Sequence, residues 1–226
     1  MESLLQAIVD DDRPRVDQIL TADPALATSR IKEDIQYDDR IVHWLYIGDT
    51  ALHLAAAGYC IEIVQLLLAT GANPNAAMNR RKSTPLHYAA DGYIHAPSWD
   101  EKRQSKAIQC LLEAGAAINA QDSNGATPLH RAVRTRCAAA VKCLLDAGSD
   151  ATIGNKSGST PFHLAVQNTG RGTTGEDDVQ AAQQQIIETF LSFGVKTSLK
   201  DGKGRSVVDC AKSDWIRQML LKHVAR

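Results

Sequence analysis

Apolar residues in this chain recur in short bursts at three- and four-residue spacing, separated by polar turns. Leu4, Leu5, Ile8 and Val9 share one helical face, and Val16, Ile19 and Leu20 share another, with Pro14 placed to open the second helix. Leu52, Ala55 and Ala56 mark a third face. Ile61, Val64, Leu67 and Leu68 mark a fourth, which Gly71 is placed to end in the left-handed conformation. Each unit therefore reads as two short antiparallel helices plus a turn. One unit cannot bury its apolar face alone, so the units must stack. No burst approaches the roughly 20 apolar residues that cross a bilayer.

The bursts carry a repeated motif. Thr50-Ala-Leu-His-Leu-Ala-Ala, Thr84-Pro-Leu-His-Tyr-Ala-Ala, Thr127-Pro-Leu-His-Arg-Ala-Val and Thr160-Pro-Phe-His-Leu-Ala-Val align directly, and Ser206-Val-Val-Asp-Cys-Ala-Lys is a degenerate fifth. Endings such as Leu111-Leu-Glu-Ala-Gly-Ala-Ala-Ile-Asn follow them. Thr before Pro is a helix N-cap with Pro at the first helical position, where its missing N–H costs nothing. Together these motifs resemble the ankyrin repeat over nearly the whole chain. The resemblance implies an all-α repeat solenoid of stacked helix pairs with β-hairpin fingers.

On this reading the chain is one array of six units. Residues 1–29 form an N-terminal cap and 30–49 an extended finger. Residues 50–77, 78–121, 122–154 and 155–200 form internal repeats, and 201–226 a C-terminal cap. The motif histidines are unevenly spaced, at 34, 43 and 33 residues, with 46 more to Asp209. Against a unit of about 33 residues, two repeats therefore carry insertions. These are Gly92–Arg103, where Ser98-Trp99-Asp100-Glu101 reads as a capping box, and the Gly/Thr-rich Gln167–Gln180, where Thr174 is expected to begin a long helix through Phe193. Both join the first and second helices of a unit, so both should emerge on the edge opposite the fingers. The 30–49 segment is about 16 residues longer than the linking turn of such a unit. Ile31–Tyr37 and Arg40–Ile47 are rich in β-branched and aromatic residues around Asp38-Asp39. They predict a long hairpin with a tight acidic turn, projecting as an enlarged finger.

Net charge is −1, so no global field argues for nucleic acid or membrane. Residues 1–45 hold ten acids and five bases, and residues 196–226 hold eight bases and three acids, a gradient that could orient a partner. Five cysteines without a C-x-x-C pair point to a reduced, intracellular setting, and the acidic start is unlike a signal peptide. His53, His87, His130 and His163 occupy one repeat position, which reads as a structural hydrogen bond rather than a metal site. Gly170–Gly175 lacks the ending of a phosphate-binding loop. No catalytic residue, metal or cofactor is expected, because the repeats leave no chain for an enzyme domain.

The resemblance implies a protein partner bound through the finger tips and the concave surface of the first helices. On the fingers these positions are Tyr46, Ile47, Asp49, Arg80, Arg81, Ser83, Ser123, Asn124, Lys156, Ser157, Lys203 and Arg205. On the concave surface they are Ala57, Asp91, Arg134 and Gln167. These positions are expected to face solvent. Tyr37 and Trp44 join them from the long hairpin, since aromatics concentrate at hot spots. The basic fingers at Arg80-Arg81-Lys82 and Lys200–Arg205 suggest an alternative, RNA or a phosphorylated ligand. No aromatics interleave with those bases, which argues against single-stranded nucleic acid. A soluble, cytoplasmic monomer is expected.

Overall fold

The first helix of each internal repeat opens on the same hydrogen-bond device. The backbone N–H of Thr50, Thr84 and Thr127 donates at 3.1 Å to Nδ1 of the histidine three residues on, and Thr160 does so at 3.3 Å. Since Nδ1 accepts, the proton of the neutral ring sits on Nε2. Nε2 of His53, His87, His130 and His163 then reaches the carbonyl of Ser83, Ala126, Ser159 and Arg205 respectively, each the residue before the next unit's cap. One side chain thus caps its own helix and ties it to the following unit. The degenerate unit keeps the cap with Asp209, whose carboxylate accepts the Ser206 N–H at 2.7 Å.

The computed structural model describes residues 1–38, 40–92, 99–167 and 177–224. The chain opens with α1 (Glu2–Val9), α2 (Arg13–Ala22) and a 3-10 turn at Pro24–Ala27, followed by strands β1 (Ile35–Asp38) and β2 (Val42–Leu45). Four helix pairs follow: α3 (Ala51–Ala57) with α4 (Ile61–Ala69), α5 (Pro85–Ala90) with α6 (Glu101–Glu113), α7 (Pro128–Arg134) with α8 (Ala138–Asp146), and α9 (Pro161–Ala165) with α10 (Asp177–Ser192). A last pair is α11 (Val207–Cys210) and α12 (Asp214–Val224). Helices α1, α3, α5, α7 and α9 stack as an inner layer, and α4, α6, α8 and α10 as an outer one. One apolar core runs between the layers from Leu4 to Leu220, with Leu52, Leu86, Leu129 and Phe162 at the same repeat position.

The fingers close by another repeated device. The side-chain oxygen of Asn79, Asp122, Asn155 and Asp201 accepts the backbone N–H groups two and four residues later. The fourth residue of each loop has positive φ. It is Gly125, Gly158 and Gly204 in three fingers but Lys82 in the second, at φ 52°. Adjacent fingers join where Ser123, Lys156 and Gly202 donate their N–H to the carbonyls of Arg81, Asn124 and Ser157.

The two interrupted repeats satisfy the end of the first helix differently. In the uninterrupted ones, the carbonyls of Ala55 and Ala132 accept the N–H of Cys60 and Cys137 across a tight turn. Tyr59 and Arg136 hold that turn at positive φ. In the others the matching carbonyls, of Ala89 and Ala165, accept Nε2 of Gln104 at 3.0 Å and Gln183 at 2.8 Å. A buried glutamine from the second helix replaces a backbone donor where the chain departs into an insertion. The loop positions expected there, Tyr93, His95, Pro97, Gly170, Gly172, Thr174 and Gly175, lie outside the described residues, as does Ser98. Helix α6 starts at Glu101, with Asp100 as the cap receiving the Arg103 N–H, two residues later than the Ser98 box predicts.

The long hairpin forms in antiparallel register, Ile35 opposite Leu45 and Asp38 opposite Val42. Asp39, half of the expected acidic turn, lies outside the described residues. The direction of the hairpin corrects the expectation of a projecting finger. Ile41 is buried and packs on Gly58, where any Cβ would sit 2.4 Å from its Cδ1. Arg40 bonds the Val9 carbonyl and the Asp11 carboxylate. The His43 ring lies 4.4 Å from that of Tyr88. The hairpin therefore folds back along α3 to its far end and covers the start of the inner surface. Ile31, Ile41 and Leu45 are buried by doing so, which a free finger would leave in water.

Candidate partner-binding surface

The candidate residues divide by burial. Trp44 is 42% and Ile47 56% exposed. Arg80, Arg81, Asn124, Arg134, Lys156, Ser157, Lys203 and Arg205 are exposed, while Tyr37, Asp91, Ser123 and Gln167 are partly so. Tyr46, Asp49, Ala57 and Ser83 are buried, contrary to the expectation that they face solvent. The physical reasons are specific. The Tyr46 ring lies beneath two guanidinium groups, Arg80 at 4.7 Å and Arg81 at 4.5 Å from its centroid. The Asp49 carboxylate accepts from the Tyr46 N–H, Asn79 Nδ2 and the Tyr88 hydroxyl, at 2.6–2.7 Å. The Ser83 carbonyl accepts from His53 and Asn79, and its hydroxyl from Arg131. Ala57 adjoins Gly58 beneath the hairpin.

The folded-back hairpin turns the inner surface into a cleft of about 730 Å³. Tyr37, Val42, His43, Trp44 and Tyr46 form one side; Arg81, Asp91, Arg134 and Leu164 complete it from the second finger and from α5, α7 and α9. Its polar floor is a linked set of charges. Arg131 is buried and donates to Asp91 at 3.1 Å and to Asp122 at 2.7 Å. Arg134 reaches Asp91 at 3.2 Å. His43 donates from Nδ1 to the Trp44 carbonyl at 2.8 Å and places Nε2 3.8 Å from the same carboxylate. Burial alone would raise the Asp91 pKa. The His43 contact and the charges of Arg134 and Arg131 outweigh it and hold the carboxyl well below the usual range, so Asp91 is ionised.

Four residues of the cleft lining escape a reading of the motifs alone, Gln36, Val42, His43 and Leu164, as does Arg131 beneath it. A signal for Arg131 existed. It stands where the other repeats have Leu54, Tyr88 and Leu164, and a charge at an otherwise apolar repeat position needs partners. His43 falls on the strand face opposite Trp44, and only the fold-back direction gives that face a neighbour.

Among the described residues, no group of His, Cys, Asp and Glu is arranged to hold a metal ion. All five cysteines are free, and burial pushes the Cys60 thiol up to about 12. None of the described helices is long and apolar enough to cross a membrane.

A family model described as ankyrin repeats (3 copies) matches residues 14–96 and 100–201. Among curated proteins, ankyrin repeat domain-containing protein 53 of Macaca fascicularis is 39% identical over 92 residues, covering 39% of this chain and 17% of that protein. The Neurogenic locus Notch protein of Drosophila melanogaster is 40% identical over 72 residues, 32% of this chain and 2% of its own length. Ankyrin repeat and SOCS box protein 6 of Mus musculus is 30% identical over 100 residues, 44% of this chain and 21% of its own. The chain thus spans a small part of each relative's length.

Proposed function

Because this chain belongs to the ankyrin-repeat family, whose arrays are generally protein-interaction modules, we propose that it is a non-catalytic scaffold that binds a partner protein through its inner surface and fingers. The observation that carries this reading is the cleft at the folded-back hairpin. There an exposed Trp44 and the guanidinium heads of Arg81 and Arg134 stand on buried, hydrogen-bonded supports. Rigid anchors of this kind bind with little loss of side-chain freedom. Asp91, Arg134 and His43 of the cleft are engaged with one another, and among its described lining residues none is set as a nucleophile beside a base. The six-unit division set out above, action as a monomer, and a reducing cytoplasmic setting belong to the same proposal, the last supported by five free cysteines.

The alternative, RNA or a phosphorylated ligand on the basic fingers, is less favoured by the charges. Arg80 is paired with Asp34 at 3.0 Å and Arg205 with Asp201 at 2.8 Å, so much of that basic character is internally balanced.

The test is affinity capture with the intact chain, with Trp44→Ala combined with Lys156→Glu, and with Lys106→Glu on the outer face of α6. A partner retained by the intact chain and the Lys106 variant but lost with the first pair supports the proposal. Capture that only the Lys106 variant loses, or no specific capture, overturns it.

A further inference from the structure

The cleft has a chemistry narrower than the general reading requires. Its exposed cations, Arg81 and Arg134, come from different repeats and both line it. The Arg81 guanidinium stands 4.5 Å from the centroid of the Tyr46 ring, and among the described residues no carboxylate lies within ion-pair distance of it. Asp91, the carboxylate of the lining, already faces Arg131, Arg134 and His43 and has no capacity left to neutralise Arg81. Beside these charges stand an exposed indole, Trp44, and two partly buried aliphatic side chains, Val42 and Leu164. The cleft volume, about 730 Å³, is in the range of sites that enclose a ligand rather than touch one.

Resting on the scaffold reading, we infer that the cleft takes a carboxylate-bearing, extended segment of the partner protein. An Asp or Glu side chain lies between Arg81 and Arg134, and a neighbouring apolar side chain rests on Trp44 and Leu164. Guanidinium groups recognise carboxylates through paired, charge-assisted hydrogen bonds. A phosphate would offer similar acceptors, but it carries close to two charges. Asp91 offsets one of the two guanidinium charges of the lining and leaves about one net positive charge, which a single carboxylate balances and a phosphate dianion overshoots. It also interrupts the basic track that a nucleic-acid backbone needs. Arg81 is pre-placed by the Tyr46 ring and Arg134 by Asp91, so little order is lost when the ligand arrives.

The experiment uses the full chain and fluorescence anisotropy with four labelled probes: a hexapeptide alternating Glu and Leu, its Gln–Leu counterpart, a phosphoserine–Leu counterpart and a hexauridylate. The Glu–Leu peptide is expected to bind about tenfold more tightly than the Gln–Leu peptide at low salt, the size of one good charge-assisted contact. Arg81→Gln and Arg134→Gln should each weaken it several-fold, and Trp44→Ala should weaken both peptides. Arg80→Gln, outside the cleft, should change nothing. Thermal melts confirm that each variant folds. Equal binding of the Glu and Gln peptides, no Glu–Leu binding at millimolar concentration, or tighter binding of the phosphoserine peptide or the hexauridylate overturns the inference. Failure here is distinct from failure of the scaffold reading. A captured partner that persists through Arg81→Gln and Arg134→Gln removes only the acidic-segment claim, whereas absence of any captured partner removes the scaffold.

Discussion

Each motif histidine works only as a neutral ring, because its Nδ1 faces a backbone N–H and its Nε2 a carbonyl. Burial is the largest influence on His53, His87 and His130 and lowers all three; His87 is depressed to about 4 from an ordinary value near 6.5. The sign follows directly. The unfolded chain takes up these protons before the folded one does, so the stabilisation is complete above about pH 6.5 and is lost as pH falls towards 4. Thermal melts should show a flat midpoint above pH 7 and a marked fall between 6.5 and 4, partly relieved in His87→Gln; a midpoint unchanged down to pH 4 would contradict this. Asp91 and Asp122, both held low, add their losses only further down. The hairpin aromatics separate in the same way. Tyr46→Ala removes a buried ring beneath two arginines and should cost about 3 kcal/mol of stability. Trp44→Ala, at the exposed rim, should leave the melt within about 0.5 kcal/mol and act on binding. Sequence alone does not part these two, which stand two residues apart at the end of one extended run; what buries Tyr46 is a pair of side chains from the next finger. At Lys82 the motif does show the departure, because glycine occupies the matching place in the other fingers. Lys82→Gly should stabilise by about 1 kcal/mol, read from denaturant midpoints.

Helix pairs and fingers were legible because periodicity and caps act within a few residues of each other. The direction of the hairpin was not. Alternation of residue types reports strand pairing, whereas which face packs, and on what, depends on Gly58, Tyr88 and Asp91, which lie beyond the strand in sequence. Helix α6 shows the same limit at smaller scale: two acceptable caps stand in succession, and Asp100 wins over Ser98. The glutamines of the interrupted repeats make a testable case at this scale. Gln104→Ala should leave the Ala89 carbonyl buried without a donor, and Gln183→Ala should do so for Ala165, each costing about 1–3 kcal/mol. Comparable substitutions at exposed sites on the same helices, such as Lys106→Ala, should change the unfolding midpoint by far less. Equal effects would show that the carbonyls find other donors.

Across the whole molecule, the motifs dictate a stacked array, and the departures from them shape its surface. An array of identical units would present a shallow inner face. Here the lengthened first connection lies along that face, and a charge at an apolar repeat position, Arg131, fixes Asp91 in the floor of the resulting cleft. The architecture could be read from the motifs, because four capping boxes and their endings leave few other folds. The cleft could not, because it joins residues from the extended finger and from the second, third and fourth repeats. The most direct measurement of the central claim is site-specific photocrosslinking in cells. Benzoylphenylalanine replaces Trp44 at the cleft rim in one chain and Lys106 on the outer helix layer in another. Covalent adducts to a discrete protein from position 44, reduced by Arg81→Gln with Arg134→Gln and not matched from position 106, are the predicted result. Adducts that arise equally from position 106, or from neither position, would contradict a scaffold that binds through its inner surface.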